Sequence, residues 1–117
     1  MSEPWSPTTV ERRLMEIANE IAHLISEAID RHRAYLIADH AYDVAMAHAY
    51  LAAEGPVKVR EYKAELATEA ERAARDEADV LYRHVERRLR GKHDELEAFR
   101  SVGASVRTAY STGGGTS

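Results

Sequence analysis

The amino-acid sequence predicts an all-α protein, in which a long antiparallel helical hairpin assembles with further copies into an oligomeric helical bundle or coiled coil. Residues that break helices are confined to a few places, since no glycine or proline occurs between Pro7 and Gly55. Alanine, the strongest helix former, supplies twenty of the 117 residues. Apolar residues also recur at steps that alternate between three and four, which is typical of a helix that faces a partner helix along its length.

The first predicted helix covers residues 7–54. Its start is marked by a capping residue, a proline suited to the first helical position and the spacing of a hydrophobic staple: Ser6, Pro7, and Trp5 with Val10. Thr8 and Glu11 offer a competing capping box one turn later. Gly55 and Pro56 mark the end of the helix, because glycine tolerates left-handed geometry and proline cannot continue the helix.

Two rows of apolar residues run along this helix. The main row has the alternating spacing and is interrupted by Arg31: Val10, Leu14, Ile17, Ile21, Leu24, Ala28, Tyr35, Ala38, Tyr42, Ala45, Ala49 and Ala52. We expect part of this row to form an interface between copies of the chain, namely Leu14, Ile17, Ile21, Leu24, Tyr35 and Tyr42. A second row predicts burial on a further side near the middle of the helix: Ile25, Ile29, Leu36 and Ile37.

The second predicted helix covers residues 57–110, with a possible kink or break at Gly91, because glycine costs about 1 kcal/mol in a helix interior. Its first stripe comprises Val59, Tyr62, Leu66, Ala70, Ala73 and Ala74, followed by Val80, Leu81, Val85 and Leu89. Beyond Gly91 the spacing resumes at Leu96, Phe99, Gly103, Val106 and Tyr110. Residues 1–110 are therefore predicted to form a single helical domain, followed by a disordered tail at 111–117.

Self-association follows from the amount of surface that such a hairpin can bury. Two long helices joined by a tight turn leave a high ratio of surface to volume, and small domains are already marginally stable. The many alanines in the main row let helix axes approach but contribute little apolar area per contact. Because further helices are needed, we expect the chain to form a homo-oligomer.

Positive charge is concentrated late in the chain. The formal net charge is −4, yet residues 83–107 hold seven Lys or Arg against four Asp or Glu. The basic residues predicted to contact nucleic-acid phosphates are Arg83, Arg87, Arg88, Arg90, Lys92, Arg100 and Arg107. Tyr82 lies beside them and is suited to stack on an unpaired base. The alternative interpretation is a solvated helix face with internal ion pairs: Arg83, Arg87 and Arg90 with Asp79 and Glu86.

The sequence shows no pattern that indicates catalysis, metal binding or membrane insertion. It has no cysteine, which excludes disulfides and thiolate chemistry. His32, His40 and His48 are eight residues apart, or about 12 Å along a helix, which is too far to share one ion. We expect no enzyme activity, metal or cofactor. Since no apolar run approaches the ~20 residues that span a bilayer, and the N-terminus lacks a signal-peptide pattern, we expect a cytoplasmic protein without a membrane partner.

Two segments carry a resemblance to known proteins. The run Tyr-Leu-Ala-Ala-Glu-Gly-Pro-Val-Lys-Val-Arg-Glu from Tyr50 resembles small all-helical proteins of bacteriophages and prophages, particularly of actinobacteria. The run Leu-Glu-Ala-Phe-Arg-Ser-Val-Gly-Ala-Ser-Val-Arg-Thr from Leu96 resembles the closing helix of that group, which is mostly of unassigned function. A looser similarity, at Arg100-Ser101-Val102-Gly103 and Arg107, is to the recombination mediators of T-even phages, oligomeric helical proteins that load a recombinase onto single-stranded DNA.

Two functions are therefore predicted. In the first, the chain is a non-enzymatic, self-associating phage-type accessory protein in DNA recombination or replication, in the cytoplasm of a bacterial host. Its partners are then other copies of the chain and either single-stranded DNA or a recombinase. In the second, the chain is a protein-interaction or assembly module that binds no nucleic acid, and its apolar stripes are the working surface.

Overall fold

The computed structural model of the chain describes residues 5–115, with side chains described through residue 112. These residues form three helices in chain order, α1 (Pro7–Ala52), α2 (Val57–Ala67) and α3 (Glu69–Gly115), and no β-strand. The all-α prediction is therefore confirmed for the described part of the chain. The helices divide into two compact units, a terminal unit of residues 5–26 with 87–115 and a middle unit of residues Glu27–Glu86.

Ser6 caps the start of α1. Its Oγ atom accepts a hydrogen bond from the Thr9 backbone N–H at 3.3 Å, and Thr9 Oγ1 accepts one from the Ser6 backbone N–H at 2.8 Å. This reciprocal pair has the arrangement of a capping box with threonine at the third helical position. The competing box at Thr8 and Glu11 is excluded, because the Val10 N–H already donates to the Ser6 carbonyl at 3.0 Å.

The turn between α1 and α2 depends on one left-handed residue. α1 ends at Ala52, two residues earlier than the sequence predicts, and α2 begins at Val57. Gly55 between them has φ = +116°, a conformation that residues with a Cβ atom rarely adopt. The Lys63 ammonium donates a hydrogen bond to the Glu54 carbonyl at 2.9 Å, which satisfies a backbone acceptor that the end of α1 leaves open.

The second helical segment is interrupted at Thr68 and not at Gly91. Thr68 Oγ1 donates a hydrogen bond to the Ala64 carbonyl at 2.8 Å, and this carbonyl is the one that the Thr68 N–H would use in a continuous helix. The Thr68 N–H bonds instead to the Glu65 carbonyl, three residues back, at 3.3 Å. A threonine hydroxyl that competes with the backbone in this way weakens helix continuity. α2 ends at Ala67, where Thr68 leaves helical geometry with φ = −116° and ψ = 20°.

α3 differs from the prediction at Gly91 and at its end. The helix continues through Gly91 without a break, because a cost of about 1 kcal/mol is small beside the propensity and packing of the residues around it. The predicted disordered tail at 111–117 is also corrected, since α3 extends to Gly115. Residues 116–117 of that predicted tail lie outside the described residues.

In the terminal unit, α1 and α3 run antiparallel and meet through an apolar seam. The buried side chains that α1 contributes belong to the main row of the sequence: Val10, Ile17, Ile21 and Leu24. On α3, Gly103 lets the helices approach closely, since a Cβ atom there would lie 3.1 Å from Val10 Cγ1. Trp5 packs edge-on against Phe99, with ring centroids 5.1 Å apart. The large apolar side chains that α3 contributes to this seam are half-buried, namely Leu89, Leu96, Phe99, Val102 and Val106.

In the middle unit, α1 also runs antiparallel to α2 and α3, and the contact face agrees with the predicted row at Val85 but not along α2. The buried residues that α2 and α3 contribute, and the residue between them, are Ala64, Thr68 and Val85. The first predicted stripe instead faces solvent, as Val59, Tyr62 and Leu66 show on α2. The prediction was wrong because the spacing identifies an apolar row without specifying what covers it, and small residues here allow a closer approach of α1 than Tyr62 and Leu66 would.

Candidate interaction surface

The helices of the middle unit meet through arginine and tyrosine side chains. The Arg75 guanidinium lies over the Tyr42 ring, 4.4 Å from its centroid, and Arg60 lies over the Tyr50 ring at 4.3 Å. Arg60 Nη2 also donates a hydrogen bond to the Tyr50 carbonyl at 3.2 Å. The hydrogen bond from Arg75 to Asp76 raises the pKa of the guanidinium. Cation–π contacts of this kind orient helices but bury little apolar area.

Two further contacts in this unit also involve polar groups. His32 stacks against Tyr82, with ring centroids 4.8 Å apart and planes tilted by 37°. Thr68 Oγ1 lies 3.3 Å from Met46 Sδ. The middle unit is therefore closed by side chains that combine a polar group with a ring or a sulfur atom, together with small residues. Among the large aliphatic side chains of residues 27–86, Val85 alone is buried.

The large aliphatic residues of α1 in the middle unit lie on the opposite side of the helix from this contact. We call this surface the α1 outer face and define it by nine exposed residues: Ile29, Arg33, Leu36, Ile37, His40, Asp43, Val44, Ala47 and Leu51. Its five large aliphatic side chains are between 42% and 75% exposed. Isolated exposed apolar residues are ordinary, but a continuous row of them indicates an interaction site.

A second apolar surface lies on the other helices of the same unit. The α2–α3 outer face consists of six exposed residues: Val59, Tyr62, Leu66, Ala70, Ala73 and Val80. Its four large side chains are between 41% and 69% exposed. The middle unit thus exposes most of its large aliphatic side chains and forms much of its helix contact with arginine, tyrosine and small residues, unlike a self-sufficient helical hairpin.

The predicted interface residues of α1 are engaged within the single chain. Ile17, Ile21 and Leu24 are buried in the terminal unit, and Leu14, Tyr35 and Tyr42 are half-buried. The partner helix of this row is therefore supplied by the chain itself, and the row is not a free surface for another copy. The exposed row contains Ile29, Leu36 and Ile37, three of the residues that the sequence predicts to be buried on a further side. That second row was the available signal for the interaction surface.

A network of charged groups joins α1 to α3 in the terminal unit. Lys92 Nζ lies 2.6 Å from Glu20 Oε2 and 3.1 Å from Glu95 Oε2. Arg13 also forms an ion pair with Glu95 and lies 3.2 Å from Glu16. The hydrogen bonds from Lys92 lower the pKa of Glu20 and, with that from Arg13, the pKa of Glu95. The same bonds raise the pKa of Lys92.

The predicted phosphate-binding residues are not equally available. Arg83 donates two hydrogen bonds to Asp79, at 3.0 and 3.1 Å. Arg100 donates one to Glu97 at 2.6 Å, and Lys92 belongs to the network described above. Arg88 also has an interaction within the chain. These contacts agree with the solvated-face interpretation for part of the basic segment.

Three of the predicted phosphate-binding residues keep their charge exposed. Arg87, Arg90 and Arg107 are exposed, and none of them forms an ion pair with another residue of the described range. A guanidinium group in this state is suited to contact an anion. Arg87 and Arg90 are three residues apart and therefore lie on one side of α3.

The described part of the chain shows neither a metal-binding cluster nor a membrane-spanning helix. Between residues 5 and 115, no three His, Asp or Glu side chains converge as ligands for a metal ion. None of the three described helices has an apolar stretch of the length that a bilayer crossing requires. No protein family, curated protein or solved structure matches the chain.

Proposed function

We propose that the chain is a non-enzymatic assembly module that associates with further copies of itself through the outer faces of its middle unit. The observation that carries this proposal is the exposure of most large apolar side chains in that unit. Ten large apolar side chains there are exposed, from Ile29 to Val80, whereas the helix contacts use alanine, arginine and tyrosine. Covering an aliphatic side chain that is about half exposed contributes about 1 kcal/mol, so the exposed row as a whole contributes several kcal/mol against the entropy that association costs.

Self-association is favoured over binding of an unrelated protein because identical copies present matching apolar faces to each other. Each copy carries the same exposed faces, and symmetric homo-oligomers are the commonest way in which soluble proteins cover such faces. The terminal unit supplies a stable support for this assembly, because its apolar seam is already closed within one chain. The prediction of a homo-oligomer is therefore retained, with the interface moved from the main row to the outer faces.

Sedimentation velocity of the purified chain, with a fluorescent single-stranded oligonucleotide present, tests this function. We expect a defined oligomer whose mass is unchanged between low and near-physiological salt, with the oligonucleotide sedimenting alone. A monomer at all accessible protein concentrations would overturn the proposal.

Matched variants show which surface holds the oligomer together. Leu36→Glu and Leu66→Glu each place a charge on one outer face, and we expect a smaller species from at least one of them. Met15→Glu is the control, because Met15 is as exposed as Leu66, at 68% against 69%, but lies in the terminal unit. Equal effects of all three substitutions would argue against a specific role of the outer faces.

Binding of single-stranded DNA, as in a phage recombination accessory protein, is the second candidate. The observation that favours it is the exposure of Arg87 and Arg90 without an ion pair in the described range. In the experiment above, this function predicts that the oligonucleotide sediments with the protein and separates as salt is raised. Neutralising both residues, with Arg87→Gln and Arg90→Gln, should then weaken binding and flatten its dependence on salt. Arg83→Gln is the matched control, since Arg83 is already paired with Asp79.

A further inference from the structure

We propose that the α1 outer face pairs with the same face of a second copy in antiparallel orientation, with Arg33 of each chain opposite Asp43 of the other. This inference rests on the self-association proposed above and adds to it a contact face, an orientation and a register. It concerns the middle unit of each copy. Three features of this face favour the pairing: the spacing of its exposed residues, the charges among them and the apolar side chains beside them.

The spacing of the exposed residues is the same in both chain directions. Six exposed positions follow one another at steps of four, three, four, three and four: Ile29, Arg33, Leu36, His40, Asp43 and Ala47. When two copies run antiparallel and cross at residue 38 of each, every member of the set lies opposite another member. The opposed positions are 29 with 47, 33 with 43, and 36 with 40. Steps that alternate in this way keep a row of side chains on one side of two paired helices.

The charges on the row select this orientation and register. Arg33 and Asp43 are its two permanently charged members, and they have opposite signs. A parallel copy in register would place Arg33 against Arg33 and Asp43 against Asp43, which is repulsive. An antiparallel copy shifted by four residues in one direction would place Arg33 against Ala47 and Asp43 against Ile37. Shifted in the other direction, it would place Asp43 against Ile29 and Arg33 against Asp39, which is half-buried and not part of the exposed row. Centring on position 38 instead forms two opposite-charge pairs for each dimer, related by the two-fold axis.

Both charged groups are available for these pairs. The Arg33 side chain is 69% exposed, and its nearest carboxylate oxygen, on Asp30, lies 3.9 Å away, at the limit of an ion pair. Asp43 is exposed and forms no ion pair with any other residue between 5 and 115. Neither group would have to give up a strong contact within its own chain to pair with the second copy.

Apolar contacts surround the charged pairs in this arrangement. Ile29 meets the methyl group of Ala47, and Leu36 meets the ring of His40, at both ends of the symmetric contact. Ile37 and Val44 border the row on one side and are exposed in the single chain. Their position at the edge allows the second copy to cover them in part, which shields the two charged pairs from water and strengthens them.

Charge reversal tests the register. Arg33→Glu or Asp43→Arg alone places like charges opposite each other twice in each dimer, and we expect the dissociation constant to rise about ten- to thirtyfold. The double variant restores opposite charges in exchanged positions, and we expect it to regain the affinity of the original chain. Sedimentation velocity over a concentration series measures all four proteins. Additive weakening in the double variant would overturn this register.

Engineered cysteines test the orientation without relying on affinity, because the chain has no cysteine of its own. In a double variant with Ile29→Cys and Ala47→Cys, the two thiols of one chain are about 27 Å apart along α1 and cannot bond to each other. We expect oxidation to give a covalent dimer with two bridges. Each single variant should remain uncrosslinked, whereas a parallel pairing would crosslink the single variants as well.

The outcomes separate this inference from the function on which it rests. If the chain self-associates and Leu36→Glu or Leu66→Glu disrupts the oligomer, but charge reversal is not rescued and the double-cysteine variant stays uncrosslinked, the assembly function stands and the antiparallel α1 pairing is wrong. If the original chain is a monomer, both proposals are wrong. Circular dichroism confirms that each variant remains helical.

Discussion

Thr68 lies at the boundary between α2 and α3, where the backbone hydrogen bonds change. Its Oγ1 atom donates a hydrogen bond to the Ala64 carbonyl, and its backbone N–H donates one to the Glu65 carbonyl. At Gly91, by contrast, the helix is not interrupted. Glycine has low helix propensity, yet α3 continues through it with helical backbone geometry. The interruption therefore goes with the shift of the Thr68 N–H and not with the hydroxyl bond alone, because Thr108 Oγ1 makes the same bond to the Ala104 carbonyl at 3.0 Å and α3 continues there.

The two glycines inside α3 should respond differently to the same substitution. A Cβ atom at Gly91 would meet no atom within 4 Å, whereas one at Gly103 would lie 3.1 Å from Val10 Cγ1. We therefore expect Gly91→Ala to raise the free energy of unfolding by up to about 1 kcal/mol. Gly103→Ala should gain less, because Val10 is buried and its branched side chain has little freedom to move. Urea unfolding at low protein concentration measures both, and an equal gain would contradict the close approach at Gly103.

At the scale of elements, α1 serves two purposes with two different sides. Its main row faces the helices of its own chain, as the burial of Ile17 and Ile21 shows in the terminal unit. Its other side, from Ile29 to Leu51 in the middle unit, faces solvent. A helix that is apolar on two sides indicates contacts with more than one partner. α1 and α3 of the terminal unit are joined in addition by the ion pairs of Lys92 with Glu20 and Glu95.

These ion pairs predict a loss of stability in acid. The pKa values of Glu20 and Glu95 are lowered in the folded chain, first by hydrogen bonds from Lys92. A carboxylate with a lowered folded-state pKa stabilises the fold above its unfolded pKa of about 4.3, and this contribution is lost as the pH falls through the folded value. We therefore expect the melting temperature to decrease once the pH is lower than about 4.5. Glu95→Gln should reduce that fall, while Glu97→Gln, in an exposed pair within α3, should leave it unchanged. Thermal unfolding followed by circular dichroism from pH 7 to pH 3 checks both.

At the scale of the whole molecule, one chain combines a unit with a closed apolar seam and a unit whose apolar side chains are exposed. The terminal unit buries four large aliphatic residues of α1, and the middle unit exposes ten large apolar residues. The first arrangement stabilises a single chain, and the second gains stability only when another surface covers it. The stability of this protein should therefore depend on its concentration.

Substitution of two isoleucines, one buried and one exposed, distinguishes the stability of the single chain from the stability gained by assembly. Ile17→Ala opens a cavity in the terminal unit, and we expect it to cost about 2–4 kcal/mol at every protein concentration. Ile37→Ala removes the same atoms from an exposed side chain, so it should lower the melting temperature only at concentrations where the original chain is an oligomer. Calorimetry over a hundredfold range of concentration measures both. A melting temperature of the original chain that does not vary with concentration would contradict self-association.

The helical content, the main row of α1 and the cap at Ser6 could be predicted from the sequence, because each depends on local propensity or on spacing within one helix. The sequence did not predict which residues of α2 face α1, nor the position at which the second helical segment is interrupted. Both depend on which side chains let two helices approach, as Ala64 and Thr68 do, and on the shift of the Thr68 N–H to the Glu65 carbonyl. The apolar row of Ile29, Leu36 and Ile37 was visible in the sequence, but periodicity alone does not say whether a row is covered by the same chain or left exposed. That distinction requires the packed helices, because burial is a property of pairs of surfaces and not of one segment.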